Sequence, residues 1–266
     1  MAFSHQAGGK ADPAEFDVIL LAAGCSRRLA HLTQDLPKSF LPVAGRSILE
    51  RNLAALQRLG FERITAIVGY RQAVFHEQIG TRWGRLRLRY VESPDFASTG
   101  HGWSLFQARE LWRRERRPVL LVHADVLYDG RILEKLLDAP GPDVAAVDNH
   151  FESKTGDEVL VHGDRARITG IRKIGGPTEA VLGEVVGLNR WSPAYMEELF
   201  EFMDAFFAAQ GRDHNWEPVV DAFLAGAARP LRPLLTDGLP WININYEEDL
   251  RLAELIAATM PTEANP

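Results

Sequence analysis

The stretch Val18–Gly45, VILLAAGCSRRLAHLTQDLPKSFLPVAG, decides the fold. It opens as an unbroken apolar run, stops at Gly24, then sets Arg27, Arg28 and Lys38 around a turn of small residues. A strand that is apolar at every position, instead of every second one, is a strand covered on both faces. In an open α/β sheet the loop after such a strand overhangs the ligand crevice. Small residues there let backbone N–H groups approach a phosphate or a base. Ala22, Ala23 and Gly24 supply that access, and Arg28 and Lys38 supply charge suited to a polyphosphate. By residue chemistry alone, a plain βα loop with solvated arginines accounts for the stretch equally well. The stretch is not a P-loop, because no G-x-x-x-x-G-K-[ST] occurs, and GHGWSL from Gly100 lacks the third glycine of a dinucleotide fingerprint.

Outward from this stretch, strands alternate with helices. SILERNLAALQRLG places Ile48, Leu49, Leu53, Leu56 and Leu59 on one helical stripe, and Gly60 supplies a stop. RITAIVGY, LRLRYVES and RPVLLVHAD read as strands, the last ending at Asp125; QAVFHEQI and GWSLFQARELWRRE read as helices between them. RILEKLLDA, DVAAVDN and EVLVHGDRARITGIRK follow as helix, strand and hairpin, then PAYMEELFEFMDAFFAAQG and WEPVVDAFLAG as helices. The chain closes with strand PWININ and helix YEEDLRLAELIAA. This alternation predicts a mostly parallel sheet covered on both faces, with the site at the carboxyl ends of its strands. Residues 15–260 read as a single domain, between a frayed tail at 1–14 and another at 261–266.

Composition narrows the function classes. A formal charge of -6 on 266 residues argues against a nucleic-acid footprint. A single cysteine excludes an internal disulfide framework and a multi-cysteine zinc site, which suggests a reducing, cytoplasmic setting. The beginning of the sequence lacks the apolar core of a signal peptide, and no run is long enough to span a bilayer.

LAAGCSRR, followed after about ten residues by PKSFLPVAG, resembles the signature of nucleotidyltransferases that join a nucleoside triphosphate to a phosphorylated small molecule. The similarity continues through IVGY, STGHGWSL, Asp125 and WININYEEDL, so it spans nearly the whole chain. Within that family, order and length look most like the bacterial phosphocholine and phosphonate cytidylyltransferases. The resemblance implies a Rossmann-like three-layer α/β sandwich with a mostly parallel mixed sheet. It implies CTP as the favoured triphosphate, Mg²⁺ as cofactor, and a phosphocholine-like or phosphonate acceptor. Sugar-1-phosphate nucleotidyl transfer with UTP, GTP or CTP, and nucleotide binding with weak catalysis, are the alternatives.

Residue by residue, the resemblance assigns the nucleotide loop to Leu21, Ala22, Ala23, Gly24, Cys25 and Ser26. It gives the triphosphate and transferring phosphorus to Arg28 and Lys38, and base reading to Thr99 and Gly100. Asp125 matches a Mg²⁺ ligand, although a strand-end aspartate also explains it. Relatives carry D-I-D in the closing strand, where this chain has Asn243-Ile244-Asn245. Alternation puts both asparagines on one strand face. Asn245 is therefore a neutral metal ligand, or the cap of the final helix with Glu248 completing a capping box. Lys173 matches a region that contacts the acceptor phosphate. Trp216 and Glu217, in HNWEPVV, match a segment lining the acceptor pocket, where Trp216 could face a quaternary ammonium or simply pack in the core. In-line transfer between phosphates needs positioning and charge neutralisation, with no covalent nucleophile. The sequence accordingly shows no convincing Ser/His/Asp set. The favoured explanations elsewhere are structural: a satisfied histidine for His123, and a solvated helix end for LWRRERRP.

Overall fold

The computed structural model describes residues 11–151, 158–173 and 181–261. Its first strand, β1 (Asp17–Ala22), shows why an unbroken apolar run was needed. Val18, Leu20 and Ala22 enter one core, whereas Ile19 enters the core on the opposite face of the sheet. After the glycine loop come the ribbon β2 (Pro42–Val43) and β3 (Arg46–Ser47), then α1 (Ile48–Leu59). Ser47 and Glu50 form a capping box at the start of α1, and Gly60, left-handed at φ 95°, ends it.

β4 (Arg63–Val68), α2 (Gln72–Gln78), β5 (Arg82–Trp83) and β6 (Leu86–Glu92) follow. The helix expected across GWSLFQARELWRRE is two, α3 (His101–Gln107) and α4 (Arg109–Glu115), meeting at Ala108, a break that no residue type there signals. Next come β7 (Val119–His123), β8 (Val126–Tyr128), α5 (Arg131–Asp138) and β9 (Val144–Asp148). The expected hairpin is β10 (Val159–Gly163) against β11 (Ile168–Lys173), antiparallel. The chain then runs through β12 (Val181–Trp191), α6 (Pro193–Gln210), α7 (Trp216–Leu224), β13 (Arg232–Leu235), β14 (Trp241–Asn243) and α8 (Glu247–Thr259).

Among the described residues, ten strands make one mixed sheet along the path β11-β10-β12-β7-β1-β4-β6-β5, with β9 and β13 joined through β12. The block β7-β1-β4-β6 is parallel throughout. Helices α1, α2 and α5 cover one face, with Leu53, Phe75 and Leu136 in its core. Helices α3, α4, α6 and α7 cover the other, with Phe106, Trp112, Phe200 and Trp216. A third apolar cluster, containing Leu29, Val43, Leu127, Ile244 and Ala253, fastens α8 and the short pair β8–β14 to the loop after β1. The expected three-layer α/β sandwich is thus the observed one.

The inner end of the expected N-terminal tail is anchored, because the Ala11 N–H donates to the Leu137 carbonyl and Asp12 caps a short turn at Pro13–Glu15. The remainder of that tail and residues 262–266 lie outside the described residues. No helix among the described residues is long and apolar enough to cross a membrane.

Candidate active site

Strand order changes direction at β1: β4 and β6 extend to one side of it and β7 lies on the other. Such a switch point opens a crevice at the carboxyl ends of the two central strands. Those ends are stitched together. The Ala124 N–H donates to the Leu21 carbonyl at 3.1 Å, and the Ile244 N–H donates to the Asp125 carbonyl at 3.1 Å. The first bond sets Asp125 beside the glycine loop; the second delivers Asn245 to the same place.

Lys38 enters on a short turn, Lys38–Phe40, whose three residues are all buried. Its Nζ lies 2.7 Å from Asp125 Oδ2 and donates to Asn245 Oδ1 at 3.0 Å. Burial alone would raise the Asp125 carboxyl. The neighbouring basic groups, Lys38 foremost with His123 and His101 behind it, together outweigh burial and hold the group below the usual carboxylate value. Two oxygens from separate segments therefore converge on one cation. That donor set suits a hard divalent ion that completes its shell with phosphate and water. Among the described residues, no group of three His, Cys, Asp or Glu side chains forms a self-sufficient metal site.

In the loop after β1, Ala23 is buried, Gly24 is exposed, and Ser26 turns left-handed (φ 48°) into the turn Arg27–Leu29. A Cβ on Gly24 would meet no heavy atom within 4 Å. Among the described residues, the N–H groups of Gly24, Cys25 and Ser26 have no acceptor within the chain. Unsatisfied N–H groups next to arginines form a ready anion site. Arg27 donates to the Ala97 carbonyl at 2.8 Å, and the Arg28 guanidinium lies 5.0 Å from the centroid of the Tyr246 ring. Cys25 is a half-buried free thiol in this loop.

Thr99 and Gly100 stand beside the loop, but their polar groups are engaged within the protein. Thr99 Oγ1 donates to the Asp95 carbonyl at 2.9 Å, and the Gly100 N–H donates to the Arg212 carbonyl at 3.0 Å. The Gly102 N–H donates to the His214 carbonyl at 3.1 Å. A Cβ on Gly100 would overlap that same carbonyl. Gly100 therefore permits two backbones to cross, and its own N–H is not available to a base.

A cavity of about 350 Å³ adjoins Asn245 and Asn243. Five of its lining residues are acidic (Asp148, Glu158, Glu184, Glu217 and Asp249), and Trp241 and Tyr246 add aromatic surface. His123 also lines it, and burial pushes this imidazole below its usual value, which favours the neutral form. Glu217 Oε2 lies 3.5 Å from His101 Nε2.

Of the acceptor residues expected from sequence, Glu217 is at this cavity and Trp216 is not. Trp216 is fully buried, its ring 5.6 Å from His123 and 6.1 Å from Trp191. The first turn of α7 points it inward while Glu217, one residue on, turns toward the cavity. Trp216 is a packing residue, and its face is closed to a cation. Lys173, exposed, ends the edge strand β11, in register with Val159 at the cavity wall.

Asn245 is not the helix cap. Asp249 Oδ2 accepts from the N–H groups of both Asn245 and Tyr246, at 2.7 and 2.8 Å, so α8 is capped one residue later than expected and by another carboxylate. Sequence reasoning missed Trp241, Asp148 and Tyr246. Trp241 had a readable signal, since it shares strand parity with Asn243 and Asn245. Its Nε1 donates to Asp148 Oδ2 at 2.9 Å.

The family profile described as MobA-like NTP transferase domain matches residues 18–237. A 2-aminoethylphosphonate cytidylyltransferase of Lancefieldella rimae is 28% identical over 221 residues, which cover 82% of this chain and 84% of that protein. A CMP-5'-(3-aminopropyl)phosphonate synthase of Streptomyces rubellomurinus is 26% identical over 243 residues, covering 89% of this chain; the chain spans only 38% of that relative's length. In fold, the inositol-1-phosphate CTP transferase from T. maritima superposes with a TM-score of 0.77 at 17% identity, covering 96% of this chain and 100% of that one.

Proposed function

Because the chain belongs to the MobA-like NTP transferase family, whose profile covers residues 18–237, we propose that it is a cytidylyltransferase acting on a small phosphonate or phosphate monoester that carries a cationic amine. The observation that carries this reading is the acidic, aromatic cavity beside Lys38 and Asp125. Carboxylates and the aromatic surface of Trp241 and Tyr246 favour an ammonium over a neutral hexose. The relatives named for aminoalkylphosphonate chemistry support the same choice.

In this reading the open N–H groups of Gly24–Ser26 and the Arg28 guanidinium hold the triphosphate. An acceptor phosphonate oxygen attacks the α-phosphorus, the bond to the bridging oxygen breaks, and pyrophosphate leaves with its electron pair. The attacking oxygen is already anionic, so no side chain has to remove a proton from a hydroxyl. Lys38 stabilises the charge that builds on the α-phosphoryl oxygens. Mg²⁺, held by Asp125 and Asn245, would neutralise triphosphate charge. The Lys38 ammonium beside Asp125 favours its ionised form, the form a metal ligand needs.

The test is pyrophosphate release from CTP, UTP, GTP and ATP, each paired with 2-aminoethylphosphonate, phosphocholine and glucose-1-phosphate. The fastest release is expected with CTP and an amine-bearing acceptor. Preference for the hexose phosphate would refute the acceptor assignment, and no release with any pair would refute the enzyme assignment.

A further inference from the structure

Tyr246 stands where the two substrate regions meet. Its ring lies under the Arg28 guanidinium at 5.0 Å, inside the range of about 6 Å over which a ring face attracts a cation. The same residue lines the acidic cavity. Arg28 is exposed in the turn Arg27–Leu29, beside the buried Leu29. Fixing so long a side chain on a triphosphate costs rotamer freedom. A rigid ring that already restrains the guanidinium lowers that cost.

The backbone that carries the ring is held in place. Asp249 Oδ2 accepts the Tyr246 N–H at 2.8 Å and the Asn245 N–H at 2.7 Å. Asn245 in turn accepts from Lys38. A single carboxylate, one turn into α8, therefore fixes the partners of both cations, Lys38 and Arg28. The apolar cluster beneath, with Ile244 and Ala253, ties this junction to Leu29, which directly follows Arg28.

We propose that Tyr246 is a positioning residue that pre-orders Arg28 for the triphosphate. The proposal rests on the reading of Arg28 as a triphosphate ligand. It assigns Tyr246 to triphosphate affinity, although the residue borders the acceptor cavity.

The test is calorimetric binding of CTP to the full chain, with Mg²⁺ and without acceptor. Wild type, Tyr246→Phe and Tyr246→Leu are compared in the Arg28 and Arg28→Ala backgrounds. Tyr246→Phe should bind like wild type, because the ring face is kept. Tyr246→Leu should weaken CTP binding by about 2- to 30-fold, the range a cation–π contact supports. In the Arg28→Ala background the same change should cost less than about two-fold, because the group it positions is gone. Steady-state KM for CTP should rise in Tyr246→Leu while KM for the acceptor stays within about two-fold.

Equal losses in both backgrounds would overturn the proposal. So would unchanged CTP binding together with a raised acceptor KM. Should Tyr246→Leu fail to fold, Tyr246→Met removes the π face and takes its place in the cycle. A wild-type chain that binds no triphosphate would instead overturn the reading of the loop itself.

Discussion

The Lys38 ammonium and the Asp125 carboxylate meet at 2.7 Å where the loop after β1 faces the end of β7, and the lysine side chain is only 10% exposed. A buried cation in that place has one consequence for turnover. If Lys38 stabilises the reacting phosphoryl group as proposed, Lys38→Ala should lower the rate of pyrophosphate release by ~10²-fold or more. Circular dichroism should show an intact fold. Near-normal release from a folded Lys38→Ala protein would remove Lys38 from the chemistry.

Asn245 offers a neutral oxygen where Asp125 offers a charged one. Asn245→Asp should tighten Mg²⁺ binding, because an anionic oxygen replaces an amide oxygen beside a divalent ion. Helix capping supplies no competing explanation, since Asp249 caps α8. Initial rate titrated against Mg²⁺ at saturating triphosphate should shift to lower Mg²⁺ in the mutant. Superimposable curves would mean that residue 245 does not hold the ion.

Asp129 ties the start of α5 to pH. Its carboxylate accepts the Arg131 backbone N–H at 2.9 Å and the Arg131 guanidinium at 2.9 and 2.7 Å. Burial pushes the group up, but the bonds from Arg131 prevail and hold it below its usual value. The folded state thus binds this proton less tightly than the unfolded chain does. The stabilisation is complete above the unfolded value of about 3.9 and disappears as pH falls through the lower folded value. Asp129→Asn should cost about 1–3 kcal/mol at neutral pH in urea unfolding, and its stability should fall less steeply toward acid. Parallel acid limbs in the two proteins would contradict this.

Gly100→Ala should disturb more than its size suggests, because the added methyl overlaps the His214 carbonyl. Relief requires either α3 or the loop before α7 to move, so both the melting temperature and KM for the triphosphate should worsen together. The change is expected to reach about 1–3 kcal/mol in stability. A mutant that melts like wild type would show that the crossing is loose.

The central sheet was legible because its code is local. β1 is apolar at consecutive positions since Val18 and Ile19 face different cores, and α1 carries both its capping box and its terminal glycine in sequence. Lys38, Asp125 and Asn245 were legible as residue types in a recognisable pattern; two backbone bonds between strand ends bring Asp125 and Asn245 to the loop, where both meet the Lys38 ammonium. The cap of α8 was misread by one position. In NYEEDL both Asn245–Glu248 and Tyr246–Asp249 have the right spacing, and only backbone direction chooses between them. Trp216 and Glu217 are neighbours in sequence, but adjacent helical positions point about 100° apart. Which of the two enters the cavity depends on how α7 packs on the sheet, information that no local pattern holds. The acidic wall assembles from β9, β12, α7 and α8 with the segment before β10, too far apart in sequence to be read as one site.

The crossing of residues 100–102 with residues 212–214 has a consequence for inheritance of specificity. The segment beside the nucleotide loop and the segment leading to Glu217 are laced back to back, through Gly100 to Arg212, Gly102 to His214, and the Trp216 N–H to His101 Nδ1. Neither can be exchanged for a homologous piece by itself. A transplanted 211–215 segment needs glycines at 100 and 102 to cross, so the two segments travel as one cassette. A change in the length of residues 211–215 should therefore also displace residues 100–102 beside the glycine loop. Swaps confined to side chains of the cavity wall, such as Glu184 or Trp241, leave that lacing intact.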